Sequence, residues 1–304
     1  MTVLDEATLT RTLLGRQLLL ERRSLPVAGA TERIWAIQAQ EAVSPYVALW
    51  SRLSGFGADE LDAALTTDAL IKATLFRMTL HLMTAADYEV AHRAMTPTLR
   101  TRMHDRRFRA SGLGVAEADA LVPELLAYLA EPRTNQEIEA WISERFGIDG
   151  KAAWLGFRGF VPARHAVTGP PWSFGPRPAY VAASARPTPA DEEGADAAVR
   201  EVVRRYLRAF GPSAPADIAA FSTYLRAPIT RAVAALGDEL VRYRGPKGAL
   251  VDLATEPLTD PDTPAPPRLL AMWDSALAIG GRRLIPEEYR KVVVRNNGDV
   301  LGSV

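Results

Sequence analysis

The chain has 304 residues, 48% of them hydrophobic and 24% charged, with 36 basic residues balanced by 36 acidic ones and no cysteine. That length suits two or three compact units, and the lack of cysteine excludes disulfides, thiolate metal ligands and a thiol nucleophile. No run approaches the roughly eighteen apolar residues of a membrane span and no basic-then-apolar leader opens the chain, so a cytoplasmic protein is expected.

Residues 5–22 read as a helix, with Leu9, Leu13, Leu14, Leu18 and Leu19 on one stripe. Pro26 interrupts, and the pattern predicts a second helix from Thr31 to Gln40 and, past the Ser44-Pro45 bend, a third from Tyr46 to Leu53. The second of these ends in Gln38-Ala39-Gln40. Two amides one residue apart cannot both enter a core without partners, because a buried amide lacking hydrogen bonds costs a few kcal/mol. They are ordinary helix-surface residues, caps on local backbone, or the lining of a polar cleft.

Gly55 and Gly57 mark a turn and a short helix follows. Residues 69–84 alternate with a period of two, which predicts a strand carrying Arg77, Thr79 and His81 on one face. From Arg93 to Arg109 six arginines (93, 100, 102, 106, 107 and 109) meet the single acid Asp105. The planar guanidinium fork suits phosphate, so Arg102, Arg106 and Arg107 are candidate phosphate contacts; a solvated helix face is the alternative.

Thr134 followed by Glu137 has the spacing of a capping box and starts a helix to about residue 147. A further helix and two short strands around a Gly/Pro loop complete the layout of a winged helix-turn-helix. The layout recurs after residue 195: three helices, then a strand, the turn Gly245-Pro246-Lys247-Gly248 and a second strand. The expected fold is therefore mainly α with short β-hairpins, built as tandem winged-helix modules. These occupy 1–110, 111–190 and 195–254, with linkers at 185–195 and 255–267. Residues 266–304 are expected to form a C-terminal β-hairpin segment around Asn297-Gly298, cut short at Val304.

Catalytic motifs are scarce. His81, His92, His104 and His165 lack metal-ligand spacing, and the GxGxxG, GxxxxGKS/T and GxSxG patterns are absent. No metal or cofactor is expected. Repeated winged helices by themselves favour a transcription regulator. The candidate recognition helix around Arg231 is sparsely basic, however, and the wing residues Arg242, Arg244 and Lys247 suit phosphate docking better than base readout.

Five blocks carry a family resemblance: RQLLLERRSLP (16–26), IQAQEAVSPYVALWSRL (37–53), IKATLFRMTLHLMTAADY (71–88), RAFGPSAPADIAAFS (208–222) and IPEEYRKVVVRNNGDVL (285–301). In the same order they resemble segments of the AlkZ-like bacterial winged-helix DNA glycosylases, which unhook interstrand crosslinks. The resemblance implies a curved scaffold around duplex DNA and a catalytic Gln-apolar-Gln signature, here Gln38 and Gln40. It further implies the branch tied to self-resistance in antibiotic producers. The partner implied is double-stranded DNA bearing alkylated or crosslinked purines, with no obligate protein partner.

A glutamine amide has no usable pKa and cannot be a general base. It can orient a water and turn its carbonyl dipole toward developing positive charge. That suffices where the leaving group is a guanine already made cationic at N7, so hydrolysis of the N-glycosidic bond is expected; no motif places a lysine as an amine nucleophile, so the enzyme is expected to be monofunctional. Arg77 and His81 are expected to line the same cleft, and Arg244, Lys247, Arg290, Lys291 and Arg295 to meet DNA from the two hairpins. A non-catalytic winged-helix DNA-binding protein or regulator remains the alternative.

Overall fold

The computed structural model describes residues 1–293 apart from 171, 185, 190, 224, 225, 278–283 and 286. Within them, three small three-stranded sheets each belong to their own group of helices. Strand β1 (Thr2–Val3) and helix α1 (Glu6–Arg16) open the chain, and Asp5 caps α1 by accepting from the Thr8 amide at 2.8 Å. The first group is α2 (Val27–Ile34), β2 (Ile37–Gln38), α3 (Ser44–Arg52), α4 (Ala58–Thr66) and the hairpin β3 (Leu70–Thr74) with β4 (Leu80–Thr84), in sheet order β2-β4-β3.

Helices α5 (Ala85–Leu99) and α6 (Arg106–Arg109) lead to the second group: α7 (Val115–Tyr128), β5 (Arg133–Thr134), α8 (Asn135–Phe146), α9 (Gly150–Phe160), β6 (Ala163–His165) and β7 (Ala179–Ala182), ordered β5-β7-β6. The third is α10 (Glu192–Phe210), α11 (Pro215–Ser222), α12 (Arg226–Leu236), β8 (Leu240–Gly245) and β9 (Gly248–Leu253). Here β1 joins β8 in parallel, and a bridge from Ser213 to Val251 holds the far side of the hairpin. One order of elements thus occurs three times: helix, short extended segment, two helices, hairpin. The protein is mainly helical with small sheets, as its periodicities predict.

Local signals account for many of the ends. The Thr134–Glu137 box is formed in both directions, with the Thr134 amide 2.8 Å from a Glu137 carboxylate oxygen and the Glu137 amide 3.3 Å from the Thr134 hydroxyl. Gly147, at φ 67°, closes α8 in the left-handed conformation that glycine adopts without steric cost.

Four expectations need correction. The helix predicted over 5–22 spans Glu6–Arg16, and Leu18 turns left-handed (φ 55°) beyond it. The helix predicted through Gln40 stops at Ile34, because Trp35 (φ 50°) and Ala36 (φ 53°) turn left-handed and the chain enters β2. The single strand predicted over 69–84 is a hairpin whose tip, Phe76–Met78, makes a 3-10 turn. Residues 291–293, expected to begin a terminal strand, end a helix, Glu287–Val293; the Asn297-Gly298 turn lies outside the described residues. Among the described residues no helix is long and apolar enough to cross a membrane.

Two buried ion pairs join distant parts of the chain. Arg16 on α1 forks onto Asp252 on β9 through two 2.8 Å bonds and also donates to the Leu207 carbonyl on α10. Arg52 at the end of α3 forks onto Asp274 through two more bonds of 2.8 Å and donates to the Gln17 carbonyl. The loop between β6 and β7 is held against the first group, where Ser173 and the Tyr46 hydroxyl share the Asp62 carboxylate. Removing one half of a buried pair leaves an uncompensated charge in low dielectric. Asp252→Ala is therefore expected to cost about 3–5 kcal/mol in denaturant unfolding, and the Arg16→Met, Asp252→Leu double variant to recover most of that loss.

Candidate active site

The left-handed turn at Trp35 and Ala36 delivers the two glutamines to a sheet edge. Ile37 pairs with Leu82 and Gln38 with His81 across β2 and β4, and the Ala39 amide donates to the Leu80 carbonyl at 2.8 Å. Ala39 is fully buried, Gln38 half-buried and Gln40 exposed. At the end of this pairing the Gln40 side-chain oxygen accepts from the Leu80 amide at 3.4 Å.

Gln38 is held from the hairpin tip. Arg77 occupies the left-handed region (φ 53°) and its guanidinium turns inward, donating to the Gln38 side-chain oxygen at 3.1 Å and to the Phe221 carbonyl of α11 at 3.3 Å. It lies 4.6 Å from the centre of the Phe221 ring and 3.3 Å from the His81 Nε2. Among the described residues no carboxylate pairs with it. Burial is the chief reason its pKa falls to about 10.

His81 has no exposed surface. Its Nδ1 donates to the Thr79 carbonyl at 3.0 Å, which leaves Nε2 as the acceptor for Arg77. Burial first and the Arg77 charge second push its pKa down to about 3, so the ring is neutral. Arg77 and His81, predicted as DNA contacts, are thus engaged with the protein itself: half-buried Arg77 with Gln38 and Phe221, and fully buried His81 with Arg77.

Gln40 opens onto a cleft of about 390 Å³ whose far wall is the second group of elements. Arg107 from α6, Arg158 from α9, Asn135 from α8, and His165 and Tyr180 from the β6–β7 hairpin line it. A second depression of about 440 Å³, lined by Arg177 and Gln136, shares Asn135 and Pro178 with the first. Among the described residues no Asp or Glu lines either one. Burial, then the nearby charges of Lys72 and Arg158, hold the His165 pKa down at about 3. Lys72 is itself buried beneath the Phe174 ring, 4.5 Å from its centre, and burial lowers its pKa to about 8.

Of the basic residues predicted from charge density, Arg107 lines the cleft with Gln40, and Arg106 is exposed beside it on α6. Arg244 and Lys247 are exposed on the β8–β9 hairpin and Arg290 sits on the last helix; none of the three lines the cleft. Arg295 lies outside the described residues, as do the side chains of Arg102 and Lys291. Arg158, His165 and Tyr180 escaped the sequence reading. A lone arginine between Gly156 and Gly159 in an apolar helix was the one available signal, since those glycines allow close packing. The Phe108 ring of α6 packs closely against Gly156, and Arg107 and Arg158 line the same cleft. Among the described residues no cluster of three His, Asp or Glu side chains could hold a metal ion.

A neutral amide, Gln40, on an arginine-lined cleft with no acid among its described lining residues suits a protein that handles a polyanion. The comparisons with known proteins agree. The family model for AlkZ-like DNA glycosylases matches residues 31–304, and the chain belongs to that family. Its fold is similar to that of the Streptomyces sahachiroi DNA glycosylase AlkZ, with a TM-score of 0.78 and 19% sequence identity over 99% of this chain and 84% of that one. No curated protein sequence matches it significantly.

Two outcomes follow from this geometry. His81 and His92 are buried and their pKa values are depressed to about 3 and about 4, chiefly by burial. The unfolded chain binds protons below about pH 6.5 that the folded protein refuses. Stability is thus full above that pH and declines below it, by about 2 kcal/mol per histidine at pH 5. Denaturation midpoints across pH 5–8 should show the decline. Replacing Gly156 with Ala would drive a methyl group into the Phe108 ring. That substitution is expected to cost about 1–3 kcal/mol in thermal unfolding and to weaken DNA binding by displacing Arg107.

Proposed function

We propose that the protein is a monofunctional DNA glycosylase that hydrolyses the N-glycosidic bond of N7-alkylated purines and unhooks crosslinks built on them, in repair or in self-resistance to a genotoxic natural product. The observation that carries this reading is Gln40, exposed on an acid-free cleft beside Arg107 and Arg158, with Gln38 tied in place two residues earlier.

Each of the three groups of elements is read as a winged-helix unit. Helix, short extended segment, two helices and a hairpin is the order of that motif. Duplex DNA lies along the joined depressions, its phosphates drawn to Arg107, Arg158 and Arg177. The absence of carboxylates matters here, since a fixed negative charge beside phosphate is repelled and a neutral amide is not.

The reaction asks little of the protein. A guanine alkylated at N7 departs without protonation, so no general acid is required, and glutamine supplies none. Position is the enzyme's share. Gln40 lies at the exposed end of the pairing with one carbonyl lone pair free, and there it can orient the attacking water. An open cleft also suits a base still tethered to the opposite strand, which cannot swing out into a closed pocket.

Purified protein incubated with duplex containing N7-methylguanine is expected to release the free base, and duplex containing neutral hypoxanthine to remain intact. The Gln38→Ala, Gln40→Ala variant should keep its DNA affinity while release falls about 100-fold or more. DNA binding with no release at any protein concentration would leave a non-catalytic winged-helix binder.

A further inference from the structure

Gln38 and Gln40 are not equivalent, and Arg77 is what separates them. A guanidinium carries five N–H donors and no acceptor, so the Gln38 atom 3.1 Å from Arg77 has to be the amide oxygen. The NH2 group is the other end of the amide, and it is not among the buried polar atoms left without a partner. Among the described residues Gln40 meets an uncharged donor, the Leu80 amide, at the longer distance of 3.4 Å.

We propose that Arg77 is a positioning residue that fixes Gln38 with its amide NH2 toward the substrate, where it donates a hydrogen bond to the departing base. The assignment rests on the glycosylase reading above. When the C1′–N9 bond breaks, both electrons leave with the base and cancel the positive charge of the alkylated ring. The water oxygen bonds to C1′ and its surplus proton passes to solvent. Electron density on the departing guanine rises at its acceptor atoms, N3 and O6. A donor aimed at either strengthens as the bond lengthens, which is the requirement for lowering the barrier instead of merely binding the substrate.

The converse role fits Gln38 poorly. Its carbonyl already faces a full positive charge, and a sugar cation drawn to the remaining lone pair would be repelled by it. The half-buried Arg77 side chain is held at several points. Its own backbone and that of Met78 are left-handed (φ 53° and 58°), its Nη1 is spent on the Phe221 carbonyl, and the Phe221 ring lies against its plane. His81, buried and locked as an acceptor, completes the cradle. Such confinement stops the amide from flipping between turnovers.

The decisive substitution is Gln38→Glu. It preserves length and pairs with Arg77, yet replaces the NH2 donor with a second oxygen. Base release from N7-methylguanine duplex is expected to fall about 100-fold in kcat while the protein remains folded. Arg77→Met should lower kcat about 10-fold or more with KM for DNA unchanged, and Arg77→Lys, which keeps one donor toward Gln38, should recover part of that loss. The side-chain amide resonances of Gln38, identified by their disappearance in Gln38→Glu, should move to free-amide positions in Arg77→Met. Wild-type activity in Gln38→Glu, or amide resonances indifferent to Arg77→Met, would overturn the assignment. Absence of base release by the wild type would instead count against the glycosylase reading, and the resonance test would still decide whether Arg77 fixes the amide.

Discussion

Trp35 is 1% exposed, with its ring centre 4.9 Å from that of Phe76 and 5.8 Å from that of Phe221. Reaching that position requires two consecutive left-handed residues, Trp35 and Ala36, each a strained conformation for a side chain larger than glycine's. The strain is offset by burying one of the largest apolar side chains in the protein among other aromatics. Had the indole stayed on the helix, Gln38 would continue α2 and face neither His81 nor Arg77. Phe221 also supports Arg77 and packs on Tyr206 and Phe210 of α10. One aromatic cluster therefore aligns the strand that carries the glutamines with the third group of helices.

Electrostatics enters through distribution, since the formal charge of the whole chain is zero. Acids are spent in pairing: Asp252 with Arg16, Asp274 with Arg52, Asp191 with Arg93, Asp119 with Arg100. Arg107, Arg158 and Arg177 line depressions that contain no acid among the described residues. A neutral protein can in this way present a locally cationic trough to a polyanion, and nothing in a net charge would disclose it. Burial acts in the same direction on the histidines, keeping His81 and His165 neutral beside Arg77 and Lys72 so that they do not add to local repulsion.

Sequence reasoning worked where the determining interactions are local. The Thr134–Glu137 box, the Gly147 stop, the helix-helix-hairpin order near residues 132–182 and its recurrence near 192–253 were all legible. So was the importance of the Gln-Ala-Gln segment, through family resemblance and through the cost of burying amides unpaired. Alternation over residues 69–84 was read correctly as β structure and incorrectly as one strand, because the reversal at Arg77 and Met78 occurs without glycine. His81 and Arg77 were placed near the glutamines but assigned to DNA, since periodicity reports a face and not what covers it.

Short-range rules thus determined from the chain alone that this is a helical protein with repeated small hairpins, no thiol chemistry, and a pair of amides needing partners. Tertiary structure alone decided which partners they meet. Arg77 reaches Gln38 across 39 residues and Phe221 across 144, separations at which neither propensity nor spacing carries information. The donor behind the Gln38 amide arrives only when β2 pairs with the β3–β4 hairpin, and it is held there by Phe221 of the third group.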